Sequence, residues 1–301
     1  MKSKKFYTKA YLRLEQYFDV IVGKEERFEF QDFQILIRKI NASDKDYVNK
    51  PSILFIHGWG SSMLNWYFQV IDRRFGSYNL FLIDLPGHGR NRDFGSIEEV
   101  THNSYLSILK AYINETFVRK PIIVGHSMGG TLAKRLYDEG LASRAIYINP
   151  ALATSPLPFI LKEIIKKLVI KKDAFKYQLF NKILRNRFIL NIWSRTLGDS
   201  SSHNTLINEI ITIADMYQTQ TNAFWGFILN MLGSGLQKEK LKDLMPEELL
   251  VVSKNDKTLG KAFIRDYVGN TKKNNVLLSF GGHCSPRTTF EEINKIIISF
   301  L

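Results

Sequence analysis

Residues 121–130 read PIIVGHSMGG, and no other stretch of the 301-residue chain restricts its fold as tightly. Ile122, Ile123 and Val124 form a short apolar run that enters a glycine, passes His126 and Ser127, and leaves through Met128, Gly129 and Gly130. Leu132, Leu136 and Tyr137 then recur at helical spacing. The pattern predicts a strand turning sharply into a helix, with serine at the apex. Small residues two before and two after that serine let the bend close. The hydroxyl is then held above the sheet edge beside the first helical N–H groups.

The rest of the chain supplies a sheet for this turn to belong to. Arg27 to Asp32 and Phe33 to Ile40 alternate as two antiparallel strands would. Ile53–Ile56 before HGWG, Leu80–Ile83 before DLPGHGR, Arg144–Asn149, Leu249–Val252 and Val276–Phe280 are apolar runs of the kind a strand buried on both faces requires. Helical stretches such as Ser104–Phe117, Lys261–Val268 and Glu291–Phe300 lie between or after them. Strands alternating with helices predict an α/β fold, a mostly parallel sheet covered on both faces. About a hundred residues between Asn149 and Leu249 break that rhythm. Ser155-Pro156 opens a helix there, with Leu157, Ile160, Leu161, Ile164, Ile165 and Leu168 on one face and Lys162, Lys166 and Lys167 on the other. This predicts core residues 26–155 and 243–301, with 156–242 a helical cap inserted over the carboxyl ends of the strands.

Residues 1–25 form a separate unit. Phe6, Tyr7, Ala10, Tyr11, Leu14, Tyr17, Phe18 and Ile21 fall on one helical stripe. The basic start resembles a leader sequence, but charges interrupt any apolar core and no small-residue cleavage site follows. Two readings fit this helix: packing on the body of the protein, or resting on an anionic membrane surface. The single cysteine, Cys284, excludes an intrachain disulfide. With no stretch long enough to span a bilayer, a cytoplasmic protein, peripheral to a membrane at most, is expected. Net charge is +13, and the segment from Ser155 to Arg195 holds ten Lys or Arg against Glu163 and Asp173, a balance of +8. No nucleic-acid-binding motif accompanies this charge. An acyl carrier protein, an anionic membrane surface and a solvated face all fit it.

A serine hydroxyl becomes a useful nucleophile only when a histidine takes its proton and an acid orients that histidine. Of six histidines, His283 in LLSFGGHCSP directly follows a predicted strand, with two glycines freeing it to reach the elbow. Asp256 follows Leu249–Val252 by a short turn and so lies at the same sheet edge. Asp84 also follows a strand, but DLPGHG reads as a turn whose carboxylate caps backbone N–H groups. The predicted catalytic set is therefore Ser127, Asp256 and His283. An oxyanion needs backbone donors, expected from Met128, next to the serine, and from Trp59 in HGWG.

HGWG, DLPGHGR, GHSMGG, SKND and the late GGH, in that order, resemble the α/β-hydrolase family, in its capped, serine esterase-like branch. The resemblance implies an eight-stranded, mostly parallel sheet with a helical lid, and covalent acyl-enzyme chemistry without metal or organic cofactor. Hydrolysis of a small carboxylic ester or thioester is the leading expectation. Phe224, Trp225, Phe227, Ile228, Met231 and Leu232 are candidates to line an apolar acyl channel or to form the core of the cap. Carbon–carbon bond hydrolysis and cofactor-free perhydrolysis use the same motifs. A non-catalytic ligand receptor would lack a triad member or obstruct the oxyanion hole.

Overall fold

A computed structural model describes residues 4–152, 205–231, 243–259, 275–278 and 281–301, with isolated positions 167, 182, 186, 235, 241 and 264. The cap helix expected from Pro156, the basic segment up to Arg195, Leu232 and the helix expected at Lys261–Val268 fall largely or wholly outside these residues.

The chain opens with helix α1 (Lys4–Ile21), which stops at Gly23 in the left-handed region (φ 69°). Strands β1 (Glu25–Phe30) and β2 (Phe33–Ile40) pair antiparallel around a Gln31-Asp32 turn. The first strand thus begins and ends two residues earlier than its pattern suggests, because Gln31 adopts φ 55° and closes the hairpin. Next come β3 (Ser52–Ile56), the short helix α2 (Tyr67–Val70), β4 (Asn79–Asp84), α3 (His102–Thr116), β5 (Ile122–His126), α4 (Met128–Asp138) and β6 (Arg144–Ile148). Helices α5 (Thr205–Gln218) and α6 (Thr221–Gly226) precede β7 (Glu248–Ser253) and β8 (Asn275–Leu278), and α7 (Ser285–Thr288) and α8 (Phe290–Phe300) close the chain.

The eight strands form one sheet in the order β1-β2-β4-β3-β5-β6-β7-β8, antiparallel only where β2 joins its two neighbours. Alternate residues of the central strands β3–β7 feed opposite cores. Leu54, Ile56, Ile123, Tyr147 and Leu250 pack under α3 and α4, through Leu109, Ile113, Leu132 and Leu136. Ile53, Phe55, Val124, Ile148 and Val251 pack under α1, α5 and α8, through Phe18, Ile211, Ile293 and Ile297. Both faces of β3–β7 are buried, which is why these strands read as unbroken apolar runs, whereas β1, partly exposed, does not.

After β3 the chain places β4 on one side of it, between β3 and β2, then returns to place β5 on the other side of β3. This reversal opens a crevice at the carboxyl ends of β3 and β5, where ligands bind in open α/β sheets. HGWG follows β3 and Ser127 follows β5, so the topology brings both motifs to that crevice.

Helix α1 lies on the body. Tyr11, Phe18 and Val22 are buried, but Tyr17 is 65% exposed and leaves the predicted stripe. One residue is 100° of helix, so a neighbour of buried Phe18 turns away from the body. The inward acidic residues of α1 meet two arginines. Arg90 donates to Glu15 and Asp19 at 2.8 Å each, and Arg38 donates to Asp19 at 3.1 Å. No helix among the described residues is long and apolar enough to cross a membrane.

Candidate active site

Ser127 sits at φ 54° and ψ −119°, a conformation a serine holds only when its surroundings impose it. Its N–H donates to Ile148 O at 3.0 Å, and its carbonyl accepts from Ala151 N at 2.9 Å and Thr131 N at 3.2 Å. The glycines make the bend sterically feasible. A Cβ on Gly125 would lie 2.1 Å from Gly129 O, and one on Gly129 would lie 2.1 Å from Ile56 O.

The structure brings Ser127, His283 and Asp256 together from three loops. His283 Nε2 lies 2.9 Å from Ser127 Oγ, and His283 Nδ1 lies 2.8 Å from Asp256 Oδ2. A carboxylate only accepts, so the ring proton sits on Nδ1 and Nε2 is left to accept from the serine hydroxyl. The second carboxylate oxygen accepts from Thr258 N at 2.7 Å and Leu259 N at 3.1 Å, so the acid cannot swing away from the imidazole. Asp256 is fully buried and His283 nearly so, while Ser127 stays partly open. The arrangement can move a proton from the hydroxyl to the ring and hold the resulting imidazolium against a fixed negative charge.

The HGWG loop presses directly against this serine. A Cβ on Gly58 would fall 2.9 Å from Ser127 Cβ and 3.5 Å from Ser127 Oγ. His57, a residue that motif spacing alone does not single out, sets the loop's backbone. Its Nε2 accepts from Leu85 N at 3.1 Å, so its protonated Nδ1 donates to Gly58 O at 2.7 Å. The trans peptide unit then carries the Trp59 N–H on the side opposite that carbonyl. Met128, the other expected donor, is the first residue of α4. Its amide is therefore one of the groups a helix start leaves without an intrahelical partner. Burial pulls the His57 imidazole down to about 3 and His88 down to about 4, so both remain neutral scaffolding.

Asp84 accepts from Met63 N at 2.7 Å and Arg90 N at 3.2 Å, the turn-capping role its sequence context implies. Burial pushes it up to about 7, and two backbone donors hold it in place. Another carboxylate, Asp215 on α5, was invisible to motif reading. It accepts from Ser62 Oγ at 2.7 Å and Ser61 Oγ at 3.2 Å, just beyond HGWG, and burial raises it to about 6.

Among the expected acyl-channel residues, Phe227 stacks on Trp59 at 4.5 Å between ring centroids, and Phe224 lies 5.2 Å from the same indole. Phe227 and Ile228 are half-buried. Phe224 is itself buried in the same core as Trp225, and Met231 in the other. No group of three or more His, Cys, Asp or Glu among the described residues is arranged to hold a metal ion.

Comparison with known proteins agrees with this architecture. A pimeloyl-[acyl-carrier protein] methyl ester esterase of Yersinia enterocolitica is 32% identical over 84 residues, 28% of this chain and 30% of that protein. The chain matches about a third or less of the length of such curated relatives. Among solved structures, a carboxylesterase from Bacillus subtilis superposes with a TM-score of 0.64 at 15% identity, covering 97% of this chain and 98% of that one. A thioesterase domain from the curacin biosynthetic pathway superposes with the same TM-score at 18% identity, covering 91% and 99%. At these identities the structural likeness speaks for the fold alone. Residues 53–292 match the alpha/beta hydrolase family as a whole, and with four-fifths of its length inside that match the chain belongs to the alpha/beta hydrolase family.

Proposed function

We propose that this protein is a serine hydrolase that cleaves a carboxylic ester or thioester through an acyl-enzyme intermediate. The observation that carries the reading is the relay from Ser127 Oγ through His283 to Asp256, at 2.9 and 2.8 Å. In the proposed reaction Ser127 Oγ bonds to the substrate carbonyl carbon as its proton passes to His283 Nε2. Negative charge collects on the carbonyl oxygen, for which the Met128 and Trp59 N–H groups are the proposed donors. Collapse expels the alcohol or thiol, which takes the proton from His283. Water then repeats the sequence, with His283 as base, and releases the acid. Each backbone donor contributes about 2.7–4 kcal/mol of transition-state stabilisation in such sites.

Phe224 and Phe227, packed on the Trp59 indole, are proposed to form one wall of the acyl site, since Trp59 is the residue after Gly58, which touches the serine. Trp225 and Met231 are core residues in this reading. The segment 156–242 is proposed to act as a lid. The likeness to an acyl-carrier-protein methyl ester esterase, together with the basic balance of 155–195, supports a carrier-linked ester as substrate.

The test is Ser127→Ala against 4-nitrophenyl esters of graded chain length, with fluorophosphonate labelling of the wild-type protein. The expected result is loss of turnover and of label in the variant. Undiminished turnover by Ser127→Ala overturns the mechanism.

A further inference from the structure

We propose that Asn149 is a positioning residue that locks His283 and the Asp256 turn into one frame. This inference rests on the hydrolase reading above. Asn149 directly follows β6 with φ 43°, in the left-handed region that asparagine tolerates better than most residues, and it is fully buried. Its backbone N–H donates to Val251 O of β7 at 2.9 Å. Its side chain then spans the two loops that bring the acid and the base to the serine.

The orientation of the amide is determined by its neighbours. Ser253 N donates to Asn149 Oδ1 at 2.8 Å, so the oxygen must face the end of β7. Nδ2 therefore faces the turn that carries the base. It lies 3.0 Å from His283 O, 3.0 Å from Ser285 Oγ, 3.3 Å from Gly282 O and 3.1 Å from Ser253 Oγ. Ser253 is also the residue whose carbonyl accepts from Asp256 N at 3.1 Å. One planar group thus ties the backbone of the base to the turn of the acid. A second donor completes the clamp: His126 Nε2, from the residue just before the serine, lies 2.7 Å from the same His283 carbonyl.

The chemical demand on residue 149 is narrow. It must accept at one atom, donate at another 2–3 Å away, and sit in left-handed backbone. Aspartate meets the shape and the backbone but turns an oxygen toward the carbonyls of 282 and 283, replacing attraction by repulsion. Glycine meets the backbone and removes the tie. A plain structural role would lower stability and leave the chemistry of the folded enzyme unchanged. A positioning role moves the imidazole relative to Ser127 Oγ, and displacements of about 1 Å at such a centre cost roughly 10²-fold in rate.

The experiment compares Asn149→Asp and Asn149→Gly with wild type, well below each variant's melting temperature. The expected result is kcat on a short 4-nitrophenyl ester reduced by roughly 10- to 100-fold with KM little changed. The acid limb of the pH profile should also be displaced. Independently of activity, the low-field proton NMR signal of the His283 Nδ1–H held by Asp256 should shift or broaden in both variants. Wild-type kcat, pH profile and proton signal in folded variants overturn the proposal. Failure of the hydrolase reading itself looks different: wild-type protein would neither turn over esters nor take up a fluorophosphonate, whatever stands at 149.

Discussion

At Gly125 and Gly129 the elbow brings backbone atoms where any side chain would stand. The added Cβ would fall 2.1 Å from a carbonyl oxygen at each position, and backbone cannot step aside as a side chain can. Gly130 is crowded less severely: a Cβ there would lie 3.0 Å from Pro150 Cβ, 3.1 Å from Pro150 Cα and 3.3 Å from Gly125 O, so its neighbours would have to give by a few tenths of an ångström. Gly125→Ala and Gly129→Ala should therefore cost at least the upper end of the ~1–3 kcal/mol typical of overpacking. Gly130→Ala, inside α4, should cost less than either, since its contacts are about 1 Å longer and alanine's helix preference, about 1 kcal/mol over glycine, offsets part of the strain. Urea unfolding of the three variants checks the order, and equal losses would refute it. The same contrast shows what a linear motif carries. Ser127, Asp256 and His283 stand at strand ends in recognisable local strings, so their candidacy was legible. His57, His126, Asn149 and Asp215 matter through partners 28 to 157 positions away, with nothing local to reveal them.

Among the elements, α1 shows how a surface helix is held by two kinds of contact. Phe18 is buried to 1% exposure, whereas Arg90 is 37% exposed and its ion pairs to Glu15 and Asp19 are open to screening by salt. Tyr11 adds a bond to Gln218 Oε1 at 3.0 Å, which joins α1 to α5. Phe18→Ala should loosen α1 far more than Arg90→Ala, read as the rate of tryptic cleavage after Lys9 and Arg13. Equal cleavage rates would show that the ion pairs dominate. The apolar stripe of this helix was visible in its sequence and its direction was nearly right. Tyr17 lies outside it because a stripe that takes in adjacent residues such as Tyr17 and Phe18 ignores the 100° step between neighbours. The pairing of Glu15 and Asp19 with Arg90 and Arg38 depends on the finished fold, so no periodicity announces it. The sheet was legible for the opposite reason: burial on both faces writes continuous apolar runs, whatever order the strands take.

For the molecule as a whole, buried ionisable groups set how stability varies with pH. His57 and His88 are held at about 3 and about 4, below their ordinary value of 6.5, so the unfolded chain binds protons that the folded one refuses. Their contribution is present above pH 6.5 and is lost as pH falls toward 4. Asp84 and Asp215 are raised to about 7 and about 6 from 3.8, so the folded protein keeps protons that the unfolded chain releases. Their contribution is favourable at low pH and declines as pH rises from about 4 through 7. The two pairs oppose each other between pH 4 and 6.5. Asp84→Asn with Asp215→Asn should leave the histidines unopposed and steepen the fall in urea midpoint on acidification. An unchanged slope would contradict the assignment.

Trp59 lies beside the glycine that touches Ser127, half-buried against Phe227, whereas Trp66 and Trp225 are sealed in dry interior. Placing a bulky phosphonyl or acyl group on the serine oxygen changes the surroundings of the first indole and leaves those two alone. On the proposed mechanism, occupancy of the serine should therefore be readable in ultraviolet emission without any added dye, and emission unchanged on fluorophosphonate labelling would count against that mechanism.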